Sequence, residues 1–171
     1  MKYTEKLLEH PKYLALMQEI HKWEEERIYC HHELEHALDV CRIAWIMYLE
    51  YHAADVVDKE LLEEKKDIFY LTGLLHDVGR TAQYAEDRDH TSAGASISEE
   101  ILEELAIPQQ TKEEILMTIR RHSGRHFSQF KADFLGHYIT LADQFSRNCF
   151  ACQAQDTCKW DREERNKTII Y

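Results

Sequence analysis

Glycine and proline are scarce, five and two in 171 residues. With so few residues suited to sharp turns, a fold of many short strands and hairpins is excluded and helices should dominate. Positive charge is also short: 21 Lys and Arg stand against 32 Asp and Glu, for a net charge of −11. That field repels nucleic-acid phosphates, so DNA and RNA are not expected partners, and a small anion would bind only where cations reverse the potential locally. Long apolar runs are missing too. The stretch Ile43 to Leu49 lies between Arg42 and Glu50 and falls well short of the ~20 residues that cross a bilayer. The opening Met1-Lys2-Tyr3-Thr4-Glu5-Lys6 turns polar at once, unlike a secretory signal. A cytoplasmic protein without a membrane span is expected, and its five cysteines, odd in number, should be reduced thiols.

What is present suits one helical domain over residues 1–171, since 44% apolar residues can fill a single core of this size. Spacings of three and four predict a first helix from about Lys12 to Ile28, with Leu14, Met17, Ile20 and Trp23 inward. The run Glu24-Glu25-Glu26-Arg27 reads as a solvated helix face. A second helix from about His32 carries His36, Val40 and Ile43 beside Leu38, Cys41 and Trp45, with His32 on the face of His36. Asp58 is a good N-cap for a third helix that Gly79 stops. A fourth runs from about Ser92 to Ile107, a fifth opens on a Thr111–Glu114 capping box, and a sixth spans about Lys131 to Arg147 with Phe134, Tyr138, Leu141 and Phe145 inward. The tail, residues 148–171, contains Cys149, Cys152 and Cys158. Three thiols are one short of the usual zinc set and no fourth follows them, so they are either small packed residues or part of a metal or redox site.

The sharpest local signal is His76-Asp77-Val78-Gly79, two polar residues ending the apolar run Leu71-Thr72-Gly73-Leu74-Leu75. Singly, each would be an ordinary capped or exposed group. Together, at a final helical turn where neighbours differ by about 100°, an imidazole and a carboxylate can converge on one ion. Upstream lies His36-Ala37-Leu38-Asp39-Val40-Cys41-Arg42-Ile43-Ala44, and downstream Leu141-Ala142-Asp143-Gln144. The order His, His-Asp, Asp over roughly residues 27–147 resembles the HD superfamily of metal-dependent phosphohydrolases.

That resemblance implies an all-α HD-type bundle with the metal site in its core. His36, His76, Asp77 and Asp143 would hold a first divalent ion, for which imidazole and carboxylate ligands suit Mn, Fe, Co, Ni or Zn, or Mg. His90, in His90-Thr91-Ser92-Ala93-Gly94-Ala95, and His122 would hold a second ion or protonate a leaving oxygen. Asp77 would bridge the ions and position the attacking water. Arg80, where many relatives have lysine, would stabilise charge, and His32, Arg125, His126 and Arg147 would face the substrate. The bland alternatives are a loop histidine for His90, a surface group for His126 and a half-exposed neighbour of His31 for His32. The implied activity is hydrolysis of a phosphoester or phosphoanhydride, of a nucleotide for preference, by water that the ion activates. His122-Ser123-Gly124-Arg125 looks most like the family's bacterial enzymes that split symmetrical dinucleoside tetraphosphates, although the interval from the doublet to His90 is shorter. The Gly-Tyr-Pro signature of cyclic dinucleotide phosphodiesterases and the Glu-Asp pair of alarmone hydrolases are missing. The competing expectation is a non-catalytic metal or nucleotide sensor whose cysteine tail reports redox state.

Overall fold

A computed structural model describes residues 1–52, 58–123 and 134–171. Among the described residues there are eight α-helices and no strand: α1 (Lys2–Leu8), α2 (Pro11–Glu24), α3 (Leu34–Tyr51), α4 (Lys59–Leu75), α5 (Arg80–Glu86), α6 (His90–Glu104), α7 (Gln109–Arg121) and α8 (Leu135–Phe145). The all-α expectation is met. None of these helices is long and apolar enough to cross a membrane.

The central element is α4, which packs on α1, α3, α7 and α8, while α6 lies against α7 and α5 against α6. Its last turns, Leu71, Leu74 and Leu75, are buried to 2% exposure or less, and each such side chain is worth about 2 kcal/mol on leaving water. Gly73 lets α3 come close, because a Cβ there would stand 2.5 Å from Cys41 Sγ. Asp58 caps α4 as expected, accepting from the N–H groups of Glu60 and Leu61. Farther along α4, the buried Asp67 carboxylate accepts from the Tyr3 and Thr4 N–H groups at 2.7 and 2.8 Å and from the Thr4 hydroxyl. An anion at the start of α1 satisfies donors that a helix leaves unpaired, and so pins a seven-residue helix that the sequence pattern did not reveal.

Several expected boundaries and faces shift. In α2 the buried residues are Tyr13, Ile20 and Glu24, whereas Leu14 and Trp23 are 44% and 52% exposed. This helix meets its neighbours along a narrow strip, α1 at one end and α5 along its flank. Glu24 is thus a buried carboxylate and no part of a solvated face. His32 precedes α3 and projects from the connecting segment, not from the helix. Asp89 caps α6 through Ser92 N–H, which moves that helix start to His90. Pro108 occupies the N-cap of α7, so Thr111 and Glu114 lie inside the helix and form no capping box. In α8 the buried face is Leu135, Tyr138, Ile139 and Ala142, with Phe134, Leu141 and Phe145 only half-buried. Beyond Gly79, α5 is a further seven-residue helix outside the sequence expectation.

Candidate metal centre

Each expected ligand sits at or near a helix end. His36 lies in the first turn of α3, His76 caps α4 with Asp77 next, His90 opens α6, His122 caps α7 and Asp143 lies in the last turn of α8. Helix termini leave backbone groups unpaired, and two imidazoles use them. His76 Nδ1 donates to Gly73 O at 2.6 Å and His122 Nδ1 to Ile119 O at 2.8 Å, which leaves each Nε2 lone pair aimed at the centre. His36 Nδ1 donates to Ser146 Oγ at 3.3 Å, and Ser146 in turn donates to Asp143 O at 2.8 Å.

Asp77, 5% exposed, lies between two sets of nitrogens. Its Oδ2 stands 3.3 Å from His76 Nε2 and 3.8 Å from His36 Nε2, and Asp143 Oδ1 is 3.5 Å from that same His36 nitrogen. Its Oδ1 stands 3.5 Å from His122 Nε2 and 3.7 Å from His90 Nε2. Donor atoms about 2.1 Å from one ion stand roughly 3.0–3.5 Å from one another, so these spacings match ligands facing a cation better than they match hydrogen bonds. The Nε2 atoms of His36, His76, His90 and His122 and the Oδ2 of Asp77 are buried without any hydrogen-bond partner. Leaving one such group unpaired costs about 1–3 kcal/mol, and four such nitrogens gathered on the two sides of one carboxylate fit a site for divalent cations. His36, His76 and Asp77 form one possible ligand set, and Asp77, His90 and His122 another. Asp143 lies beside the first, near His36, without joining either set.

Electrostatics agree with this reading. Burial resists ionisation of Asp77, but Arg80, His76 and His32 hold its carboxyl well below the usual carboxylate range. Asp143 is held low against burial by His36 and His76. Burial lowers His36 to about 4, and burial together with Arg80 lowers His90 to about 4, so both imidazoles are neutral at pH 7. Burial also works against a charged His76, yet Asp77 and Asp143 lift it above its ordinary value. The site calls for positive charge at that nitrogen, which a proton or a cation can supply.

The expected substrate-facing residues divide. Arg80 Nε donates to Asp77 Oδ1 at 3.0 Å and Nη1 to Gln83 Oε1 at 2.7 Å, so it steadies the carboxylate while lining a cavity at the centre's mouth. That cavity, about 360 Å³, is also walled by Arg27, Lys159, Trp160 and Arg147, whose guanidinium lies over the Trp160 ring at 4.3 Å. His32 lines it as well, with Nε2 4.0 Å from Asp77 Oδ2. Arg125 and His126 lie outside the described residues.

Sequence reasoning missed the support behind His32. Glu24 accepts from His32 Nδ1 at 2.5 Å, from His32 N–H at 2.6 Å and from the Tyr84 hydroxyl. Burial opposes its charge, but the His32 and Tyr84 bonds bring its carboxyl down to about 2. Tyr13, Ile20 and Glu24 fall at positions i, i+7 and i+11 of one helix, a spacing that would have placed Glu24 on the inner face. Ser146, Lys159 and Trp160 carried no comparable signal.

A protein-family model described as the HD domain matches residues 34–165. An uncharacterized protein of Clostridium beijerinckii (strain ATCC 51743 / NCIMB 8052) is 32% identical over 165 residues, covering 96% of this chain and 96% of that one. No solved structure matches the chain. The family match spans most of the sequence and includes His36, His76, Asp77, His90, His122 and Asp143, and the chain therefore belongs to the HD domain family, whose members are in general metal-dependent hydrolases.

Proposed function

We propose that the protein hydrolyses a phosphoester or phosphoanhydride bond of a small phosphorylated compound, a nucleotide by preference, with two divalent ions sharing Asp77. The observation that carries this reading is the set of buried, unpartnered donor atoms on both sides of one carboxylate. His36, His76, Asp77 and Asp143 would hold one ion, and Asp77, His90 and His122 the other. Bound there, such ions supply Lewis-acid stabilisation of phosphoryl oxygens and a more acidic water.

The chain's own groups support the rest. Arg27, Arg80, Arg147 and Lys159 line the mouth, where their positive charge would favour an anion in an otherwise acidic protein. Arg80 also keeps Asp77 ionised. His122 has its Nδ1 proton committed to a backbone carbonyl and His90 is neutral by burial, so both serve better as ligands than as acids. His32 remains the imidazole tied to a carboxylate on one side and open to the cavity on the other. That is the arrangement of a group that hands a proton to a leaving oxygen. A cavity of about 360 Å³ lies at the small end of ligand sites and suits one nucleoside phosphate better than two linked nucleosides.

The test is metal analysis followed by mono- and dinucleotide substrates supplied with manganese or iron. Turnover with bound metal is expected, and Asp77→Ala should lose both together. A metal-free Asp77→Ala protein with normal turnover would overturn the reading, and metal binding without turnover of any phosphorylated compound would favour a sensor.

A further inference from the structure

The tail after α8 runs from residue 148 to 171 with two three-residue 3-10 turns as its only helices, Cys149–Ala151 and Gln155–Thr157. Irregular segments beyond about 12–15 residues are uncommon unless something organises them. Part of that organisation is polar. Asn166 Nδ2 donates to the carbonyls of Gln144, Phe145 and Arg147, and the Arg165 guanidinium donates to those of Gln155, Cys158 and Trp160. The buried apolar groups are few, Cys149 and Ala154.

The missing organiser is a fourth thiol that lies upstream. Cys30, in the segment between α2 and α3, lines one cavity of about 350 Å³ together with Cys149, Cys152 and Cys158. Cys149 opens and Cys152 caps one 3-10 turn, where residues three apart share a side. Burial pushes the Cys30 thiol up, and Cys149, Cys152 and Cys158 add to the rise while Arg147 opposes it, so the four sulfurs share one environment. All are free thiols, and the fifth, Cys41, is buried elsewhere in the helical core. Four soft thiolates around one cavity select zinc or an iron–sulfur centre.

Spacing separates the two. Thiolates on one zinc ion stand about 3.8 Å apart, given Zn–S bonds near 2.3 Å. Among the described residues no three of these sulfurs lie within 4.8 Å of one another. A cluster spreads its irons around bridging sulfides, and its ligand thiolates stand correspondingly farther apart. We infer that Cys30, Cys149, Cys152 and Cys158 hold a four-iron, four-sulfide cluster beside the phosphate-facing cavity. Each thiol releases its proton on ligation, and Arg147 and Arg165, which line the same cavity, offset the negative charge left over. Cys30, Cys158 and Arg147 also line the cavity at the metal centre, so the cluster forms part of that cavity's wall and fixes the tail that closes it.

The experiment is anaerobic purification of the full chain, reconstituted with equal ferrous and ferric iron and with sulfide, with acid-labile sulfide, iron and zinc measured alongside Mössbauer spectra. About four labile sulfides per chain are expected, with the spectrum of a thiolate-bound cluster. Cys30→Ser and Cys152→Ser should lose the sulfide, and Cys41→Ala should keep it. Asp143→Ala should lose an ion from the HD centre yet keep the sulfide, so the two centres fail separately. Wild-type protein without labile sulfide, or with one zinc on these thiols, overturns the proposal even where a serine variant does not fold.

Discussion

Replacing Gly79 by alanine isolates a close approach from every other property of the chain. Gly79 has φ −72°, which alanine adopts freely, so no backbone strain enters. Its Cβ, however, would stand 2.0 Å from His90 O, 2.4 Å from Gly94 N and 2.8 Å from Gly94 Cα. All three are backbone atoms of α6 and cannot swing aside as a side chain does. Restoring an ordinary ~3.5 Å contact withdraws the start of α6 by roughly 1.5 Å, at about 1–3 kcal/mol for overpacking. His90 opens that helix, and its Nε2, 3.7 Å from Asp77 Oδ1, would move out of ligand range, since metal sites tolerate about 0.2 Å. His36 and Asp143 lie on α3 and α8, and His76 and Asp77 follow the buried last turn of α4. Manganese in Gly79→Ala should therefore fall from two ions per chain to one, with Tm lower by about 2–4 °C per kcal/mol lost. Elemental analysis of desalted protein and a thermal melt read both quantities. A variant that retains two ions and the wild-type Tm refutes the argument that α6 is seated on this glycine.

Glu24 has its carboxyl lowered from 4.5 to about 2, so the unfolded chain binds the proton more readily. Its contribution, about 3 kcal/mol, is complete above pH 4.5 and disappears as pH falls towards 2. Urea unfolding of wild type and Glu24→Gln at pH 6 and pH 3 should show a difference that shrinks on acidification, and a constant difference sinks the assignment. Asp67→Ala removes the acceptor of the Tyr3 and Thr4 N–H groups and should cost about 1–3 kcal/mol. Amide exchange should accelerate in α1 while the last turns of α4 stay protected; uniform exchange would argue against the clamp. Chelation of the divalent ions should lower Tm, because an ion at 100 times its Kd stabilises by about 2.7 kcal/mol, and manganese should restore it. A melt indifferent to both treatments means that nothing binds there.

The long helices were readable because their apolar periods are strong: α3, α4 and α7 bury the stripes that carry Cys41, Leu75 and Ile119. The short ones were not. Seven residues hold too little period to stand out, and α1 depends on Asp67, which is 63 residues away from Thr4. The same distance rule governs the site. His36, the doublet, His90, His122 and Asp143 each sit in a recognisable local context, whereas Glu24 hid inside an acidic run and Cys30 was separated from its three companions by the whole bundle. Neither a carboxylate's burial nor a fourth thiol across a cavity leaves a mark in local spacing.

The two imidazoles that borrow carbonyls from Gly73 and Ile119 tie ligand aim to the integrity of the last turns of α4 and α7. Ends are where helices fray first. Here burial of Leu74, Leu75 and Ile119 holds both ends against fraying, so the aim of the two imidazoles depends on the packing that seats those turns. An occupied centre would stiffen those tips in return, making the bound cation a splint for the geometry that captures it.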